Sequence, residues 1–214
     1  MFLYCGSSTK KVSMFQKIST LLLLFLSFTS AVNGQDRIVI RTHLDSTFDQ
    51  ASTQKLHEAL EILEVALNSE AFKKRVLEEN FNVGNNHLTS EEIYQLLVGG
   101  EDNYIDAEKD GELNFRLSLF DEPFKKKNND NFGVTNMATR ITRTHRCFVL
   151  NNDVRCYASH LMHEYMHQIG FIDKRRFLGL GTKTSSVPYK IGRIVDELIG
   201  NPTSCLAQQG TCSN

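Results

Sequence analysis

Apolar residues in the first half of the chain recur every three or four positions, at Leu56, Leu60, Leu63 and Leu67. This spacing places the four side chains on one face of a long amphipathic helix. The same spacing extends to Phe72 and Val76, so we expect the helix to continue through both residues. These apolar side chains are therefore predicted to lie in the core of the domain.

A second helix is predicted from its end signals. Thr89 and Glu92 are three residues apart and match a capping box, in which each side chain bonds to the other residue's backbone N–H. Gly99 and Gly100 follow Val98, and glycine readily adopts the left-handed conformation that terminates helices. We expect this helix to begin after Thr89 and to end at the two glycines.

Three other segments have the composition of β-strands. Residues 37–43 contain an apolar centre of β-branched residues, which favours a first strand. Residues 113–119 alternate between apolar and polar side chains, so they predict a strand with one buried face. Residues 135–144 are predicted to form a further strand, and the polar residues 125–131 a loop. Together these elements predict a single α+β domain.

The first 34 residues have the features of a secretory signal peptide. Residues 20–28 form an apolar run that follows several lysines and precedes small residues. A membrane span needs about twenty apolar residues, so this run is too short and we expect no stable membrane insertion. We predict that residues 1–34 are removed and that residues 35–214 form one extracellular or periplasmic domain.

The cysteines agree with an oxidising compartment. Cys5 lies within the predicted signal peptide, and the remaining four are Cys147, Cys156, Cys205 and Cys212. Asn151 and Asn152 favour a two-residue hairpin turn, which would place Cys147 opposite Cys156 within disulfide range. We therefore expect Cys147 to pair with Cys156, and Cys205 with Cys212.

Residues 158–169 predict an amphipathic helix whose polar face carries candidate catalytic residues. At about 100° per residue, its polar and apolar side chains occupy opposite arcs. His163 and His167 are one turn apart on the polar arc, so their imidazoles can bind one metal ion. Glu164 lies beside them and is predicted to act as general base on a water molecule. His160 is one turn earlier, and we expect it at the rim of the site or just behind the ligands, but not as a ligand itself.

A catalytic zinc ion usually has three protein ligands and keeps one position for water. No histidine follows His167, so a carboxylate is needed to complete the site. Asp173 is the preferred candidate, because Gly170 can end the helix in the left-handed conformation and turn the chain back. Glu197 is the alternative, since some zinc hydrolases take a glutamate from a later helix.

The pattern His-Glu-x-x-His-x-x-Gly-x-x-Asp, from His163 to Asp173, resembles the metzincin clan of zinc-dependent endopeptidases. It is most similar to the snapalysin-type branch, in which Asp replaces the usual third His. The resemblance implies a zincin-like fold with a mixed sheet, a long N-terminal helix, an active-site helix and a small C-terminal subdomain. It also implies that residues 135–144 border the substrate cleft, as the upper edge strand does in metzincins.

The segment Ser186-Val187-Pro188-Tyr189 stands where metzincins carry a methionine-containing turn beneath the metal. Pro188 occupies the place of the methionine, and no methionine follows Met166. The resemblance implies that Tyr189 approaches the metal and stabilises an oxyanion. The alternative is that the Tyr189 ring packs against the loop and caps it.

The overall charge argues against nucleic acid as a partner. The formal net charge is -1 and the sequence pI is about 6.7, so the chain lacks the excess of basic residues typical of nucleic-acid-binding domains. The consecutive lysines at residues 125–127 are most simply a solvated loop.

The sequence thus predicts a secreted, monomeric zinc metallopeptidase that binds one catalytic Zn²⁺ and cleaves peptide or protein substrates. Two other functions remain open. One is a secreted binding or adhesion module that keeps a zincin scaffold without catalysis. The other is a zinc hydrolase of a non-peptide amide, which would use the same metal chemistry in a differently shaped pocket.

Overall fold

The computed structural model describes residues 37–100, 110–121, 132–173 and 185–200. Within these ranges the chain forms an α+β fold of four strands and six helices. In chain order they are β1 (Val39–Leu44), α1 (Gln50–Leu67), α2 (Glu70–Glu78), α3 (Ser90–Gly99), β2 (Glu112–Phe120), β3 (Gly133–Asn136), β4 (Ile141–His145), α4 (Arg146–Asn151), α5 (Val154–Gln168) and α6 (Val187–Leu198). The predicted signal peptide, the predicted loop at 125–131, Cys205 and Cys212 lie outside the described residues.

The four strands form a mixed, open sheet in the order β1-β2-β4-β3. β1 is parallel to β2, and β2 is parallel to β4, whereas β3 runs antiparallel to β4 at the edge. In β2 the predicted alternation is confirmed, because Leu113, Phe115, Leu117 and Leu119 are all buried. The α+β class predicted from the sequence is therefore confirmed for the described part of the chain.

The first long helix ends earlier than its apolar pattern predicts. α1 stops at Leu67, and Phe72 and Val76 belong to the separate helix α2. Asn68 causes the break, because its side chain accepts a hydrogen bond from Ile38 N at 2.8 Å and donates one to Ile38 O at 2.9 Å. Ser69 then caps α2 by accepting from Phe72 N at 3.1 Å. Polar side chains that bond to the backbone in this way compete with helix continuation.

The end signals of the next helix are confirmed. Thr89 accepts a hydrogen bond from Glu92 N, and the Glu92 carboxylate accepts one from Thr89 N, which completes the capping box of α3. Gly100 follows the helix with a φ of 68°, in the left-handed region. A side chain there would also collide with the backbone of Glu112, only 2.2 Å from the position of a Cβ atom. Glycine is thus needed for both conformation and space.

The single strand predicted at residues 135–144 is wrong, because the segment folds into the hairpin of β3 and β4. Asn136 starts the turn by accepting hydrogen bonds from Ala138 N at 2.9 Å and Thr139 N at 3.3 Å. Arg140 completes it with a φ of 60° and donates to the carbonyl of Gln168 at the end of α5. This contact holds the hairpin against the C-terminal end of α5.

The hairpin predicted around Asn151 and Asn152 is also wrong, since both flanking segments are helical. Cys147 lies in α4, whose first turn is capped by His145, and Cys156 lies in α5, which is capped by Asp153. These caps satisfy the backbone N–H groups that strands would otherwise pair. The strand register therefore gives no support to a bond between Cys147 and Cys156, and the pairing of the four cysteines stays a prediction.

α5 is the central helix of the described core. It packs against α1, α6 and β3, and its apolar arc is fully buried at Leu161, Met162 and Met166. Tyr165 stacks on Phe115 of β2 with ring centroids 4.6 Å apart, which joins the helix to the middle of the sheet. Each such buried side chain contributes about 1.5–3 kcal/mol, so α5 is held by its apolar face and leaves its polar face for a site.

None of the helices in the described ranges combines the length and the apolar character required to cross a membrane.

Candidate metal centre

The helix predicted at residues 158–169 is α5, which begins earlier, after Asp153, and ends at Gln168. His163 and His167 occupy adjacent turns on the same face, and their ring centroids are 5.0 Å apart with an interplanar angle of 80°. The helix therefore brings the two imidazoles together as the spacing predicts.

The chain reverses directly after α5 and brings Asp173 to the two histidines. Gly170 has a φ of 105°, and Phe171 N donates to Met166 O at 2.9 Å, so the turn predicted at Gly170 is present. Phe171 is fully buried and anchors the segment that returns towards the histidines. As a result, Asp173 Oδ2 lies 3.5 Å from His167 Nε2 and 3.8 Å from His163 Nε2.

These three side chains form a group in which one ligand atom from each lies within 4.8 Å of the others. Ligand atoms at about 2.0–2.1 Å from a tetrahedral zinc ion are roughly 3.3 Å apart, close to the two carboxylate distances. Two imidazole nitrogens and one carboxylate oxygen are also a ligand set that zinc accepts in hydrolases. The residues fit a zinc ion in both geometry and chemistry.

His167 is held in the tautomer that metal binding requires. Its Nδ1 atom lies 2.6 Å from the carbonyl oxygen of Phe171, and because a carbonyl only accepts, Nδ1 carries the proton. In the neutral ring the lone pair is then on Nε2, which faces Asp173; without a metal ion, the protonated ring donates to Asp173 from the same atom. The hydrogen bond from Nδ1 orients the imidazole and raises its basicity as a ligand. Burial acts against a charged imidazole, but Asp173 and Glu164 outweigh it and raise the pKa of His167.

Asp173 is held on its other oxygen by Ser186. Ser186 Oγ donates to Asp173 Oδ1 at 2.6 Å, which leaves Oδ2 directed at the histidines. Ser186 itself is fully buried at the start of α6 and is bridged to Val83. Although burial favours the neutral acid, hydrogen bonds from His167 and Ser186 and the charge of His163 lower the pKa of Asp173. The carboxylate is thus fixed in position and kept ionised.

Glu164 lies next to the three-residue group without belonging to it. Its Oε1 atom is 4.0 Å from His163 Nε2, and its Oε2 atom accepts a hydrogen bond from Thr135 Oγ1 at 2.7 Å. Burial raises the pKa of Glu164, while the charge of His167 and the Thr135 hydrogen bond act in the opposite direction. A buried carboxylate of raised pKa beside candidate metal ligands has the properties of a general base.

Tyr189 lies in the first turn of α6, with Pro188 before it in the same turn. Its ring contacts the His163 ring edge to face, with centroids 4.5 Å apart. Burial, followed by the charges of Asp173 and Glu164, raises the pKa of Tyr189, so its phenol is neutral at physiological pH. Tyr189 thus packs on a candidate ligand and keeps its proton. This agrees both with stabilisation of an oxyanion and with a purely packing role.

α6 approaches α5 very closely behind His163. A Cβ atom on Gly192 would lie 3.2 Å from His163 Cβ, tighter than ordinary van der Waals contact, and 3.4 Å from the carbonyl oxygen of Ser159, at the short end of ordinary contact. Ser159 Oγ donates to the Gly192 carbonyl at 2.9 Å, so a side chain of α5 is also hydrogen-bonded to the backbone of α6. α6 is therefore in direct contact with α5 at His163, through the backbone of Gly192.

We predict that Gly192→Val destabilises the fold and weakens zinc binding. Its added methyl groups would push α6 away from His163, and overpacking of this kind costs about 1–3 kcal/mol. Thermal unfolding and zinc titration measure the two effects. Gly192→Ala adds one carbon only and should give a smaller change in both. A valine variant with unchanged zinc affinity would contradict a role for this contact in placing His163.

Glu197 lies at the opposite end of α6 from Tyr189. Its carboxylate pairs with Arg75 and, at 3.8 Å, with Arg193, and its side chain is 44% exposed. Among the described residues the ligand-like group comprises His163, His167 and Asp173, and it excludes Glu197. Of the two candidate third ligands, the fold brings Asp173 and not Glu197 to the histidines.

His160 is buried in the core, so of its two predicted positions the rim is wrong, and it is not part of the ligand-like group among the described residues. Its Nε2 atom is 3.3 Å from Thr144 Oγ1, and its ring contacts Phe148. Burial, aided by the charges of His163 and His167, lowers the pKa of His160 to about 3. His160 is therefore a neutral packing residue beside the hairpin.

Four residues that hold the site were not predicted from the sequence: Thr135, Thr142, Ser186 and Gly192. Ser186 and Gly192 flank the Tyr189 segment, and a glycine inside an amphipathic helix is a known sign of close packing. Thr135 and Thr142 had no such signal, because their relevance depends on the unpredicted turn between β3 and β4.

Comparison with known proteins does not identify a family for this chain. No protein-family model, no curated protein and no solved structure matches it.

Proposed function

We propose that this protein is a zinc-dependent endopeptidase with a metzincin-like, zincin-type catalytic domain. The observation that carries the proposal is the convergence of His163 Nε2, His167 Nε2 and Asp173 Oδ2, with Glu164 beside them. This arrangement supplies three ligands and a base, which are the protein components of a zinc hydrolase.

The residues of this chain divide the work of hydrolysis. Zinc, when bound, supplies a Lewis acid that polarises both the water molecule and the scissile carbonyl. Glu164 accepts a proton from the water and delivers it to the leaving amine. Asp173 contributes a negative charge, so the centre is less positive than one with a third histidine. We infer that Tyr189, which is neutral and in contact with His163, donates a hydrogen bond to the oxyanion.

The position of β3 favours a peptide as the substrate. β3 lies at the edge of the sheet and pairs, among the described residues, with β4 alone. The same strand packs against α5, which carries two of the three candidate ligands. An extended peptide can add to such an edge through backbone hydrogen bonds and place one of its peptide bonds at the site. This is the feature that favours a peptidase over a hydrolase of a non-peptide amide.

We also infer that the enzyme is secreted and acts as a monomer. Residues 1–34 would be the signal peptide and residues 35–214 the catalytic domain. The disulfides predicted from Cys147, Cys156, Cys205 and Cys212 would suit that compartment.

The test is a measurement of metal and of turnover on the purified mature chain. We expect one zinc ion per molecule and cleavage of an unbiased peptide library at internal bonds. A chelator should abolish cleavage, and added zinc should restore it. Zinc without cleavage of peptides would leave the non-peptide hydrolase or the binding module as the function. A correctly folded chain that neither contains nor takes up zinc would overturn the enzymatic proposal.

A further inference from the structure

A chain of hydrogen bonds leads from the Glu164 carboxylate into the sheet. Thr135 Oγ1 lies 2.7 Å from Glu164 Oε2 and 2.7 Å from Thr142 Oγ1. Gln168 Nε2 lies 2.8 Å from Thr142 Oγ1. Thr135 and Thr142 are directly opposite each other on β3 and β4, so the hairpin fixes their separation. The chain thus joins both hairpin strands to the last turn of α5.

The far end of this chain is anchored on the backbone of Arg116 in β2. Arg116 N donates to Gln168 Oε1 at 3.3 Å, and Gln168 Nε2 donates to Arg116 O at 3.1 Å. These two bonds fix which end of the Gln168 amide is the donor. The amide is therefore oriented by a strand in the middle of the sheet rather than by solvent.

The direction of every hydrogen bond in the chain follows from that anchor. Gln168 Nε2 can only donate, so Thr142 Oγ1 accepts from it. The ionised Glu164 carboxylate can only accept, and its Oε2 at 2.7 Å is a closer acceptor for the single proton of Thr135 than the backbone carbonyl of Glu164 at 3.2 Å. Thr135 then accepts from Thr142, the sole arrangement in which each hydroxyl donates once. All donors in the chain are aligned towards Glu164.

The chain is shielded from water over most of its length, and Thr135 itself is partly buried. Thr142 is fully buried, and Gln168 and Glu164 are 3% and 5% exposed. In such a low-dielectric environment, consecutive hydrogen bonds polarise and strengthen each other. An isolated threonine at the surface would exchange its hydrogen bond with water. The Thr135 hydroxyl is instead held between Glu164 and Thr142.

We propose that Thr135 is a positioning residue for the general base, and that Thr142 and Gln168 hold its hydroxyl in place. The proposal rests on the proposed function of Glu164. By occupying Oε2, Thr135 fixes the rotation of the carboxylate and leaves Oε1 on the side of His163, 4.0 Å from its Nε2 atom. The oxygen that must meet the water molecule is thereby aimed at the metal centre.

The test compares Thr135→Val with Thr135→Ser. Valine has the same shape but no hydroxyl, and serine keeps the hydroxyl but loses the methyl group. For Thr135→Val we expect kcat to fall about 10-fold to 100-fold, the usual cost of losing a group that orients an active-site side chain. KM and zinc stoichiometry should stay at wild-type values. Thr135→Ser should recover most of the lost kcat.

Thr144→Val is the matched control, because Thr144 is a buried threonine of the same hairpin that contacts His160 rather than Glu164. We expect it to leave kcat unchanged. Should Thr135→Val fail to fold, Thr142→Val breaks the chain one bond further away and should give a smaller loss of kcat with KM unchanged.

Wild-type kcat in Thr135→Val would overturn the proposal, as would an equal loss of kcat in the serine and valine variants. The second outcome would show that kcat responds to any change of this side chain, and hence to its packing, rather than to the hydroxyl in particular. If the unmutated protein itself has no peptidase activity, both this proposal and the proposed function fail. Activity in the unmutated protein with no effect of Thr135→Val would remove this proposal alone.

Discussion

Replacing Glu164 by glutamine is expected to lower kcat by about 10²-fold to 10⁴-fold while zinc remains bound. Glutamine has nearly the same shape, and its side-chain oxygen can still accept the hydrogen bond from Thr135. It cannot take a proton from water, so the step assigned to the base is lost. The three candidate ligands are unchanged, so zinc affinity should not fall. Peptide turnover and metal analysis of the same sample measure the two quantities.

Glu197→Gln is a suitable control for this experiment. It makes the same chemical change at a carboxylate that pairs with Arg75 and Arg193 near the surface, away from the histidines. Its kcat should equal that of the unmutated enzyme. Undiminished turnover in Glu164→Gln would rule out Glu164 as the base and would direct attention to another proton acceptor.

The second large effect is expected for Asp173→Ala, which should weaken zinc binding by more than about 100-fold. Loss of a side chain that merely orients a ligand already costs 10-fold to 100-fold in metal affinity, and Asp173 is proposed to be a ligand itself. The variant also leaves Ser186 without its carboxylate acceptor. Competition with a chromophoric chelator measures the zinc affinity, and peptidase activity should fall with it.

Glu197→Ala provides the comparison that decides the third ligand. Because Glu197 lies outside the group of His163, His167 and Asp173, its removal should leave zinc affinity unchanged. The reverse result, with zinc retained in Asp173→Ala and lost in Glu197→Ala, would assign the ligand to α6 instead.

Local signals in the sequence were sufficient for much of the α5 region. Helical periodicity alone places His163 and His167 on one face. Gly170 is recognisable as the end of the helix because the turn needs a positive φ, which glycine readily adopts. Thr89 and Glu92 identify their helix start for a similar reason, since a capping box involves residues only three apart. In each case the interacting groups are neighbours in the sequence.

The incorrect predictions have a different cause. Leu67 and Phe72 fit the apolar spacing of a single helix. The helix nevertheless ends between them, because the side chain of Asn68 bonds to the backbone of Ile38, thirty positions away. Asn151 and Asn152 have the composition of a hairpin turn, but the flanking residues form helices that pack in the core. A local pattern does not reveal such distant contacts, and tertiary packing overrides it.

The partners of the site were the hardest part to predict. Ser186 is 13 positions from Asp173, and Thr135 is 29 positions from Glu164. Neither has a fixed spacing from the motif that would mark it in a single sequence. They become visible only when α6 and the β3–β4 hairpin are placed on either side of α5.

Under the proposed function, α6 contacts the site at two points and so links cation binding to the packing of this helix. Its start supplies Ser186 to the third ligand, and its middle supports His163 through Gly192. Binding of a cation should therefore stabilise the packing of α6 against α5, and this packing should strengthen cation binding by the same free energy. A ligand or partner that displaces α6 from α5 would lower the affinity for the cation without contacting any of the three proposed ligands.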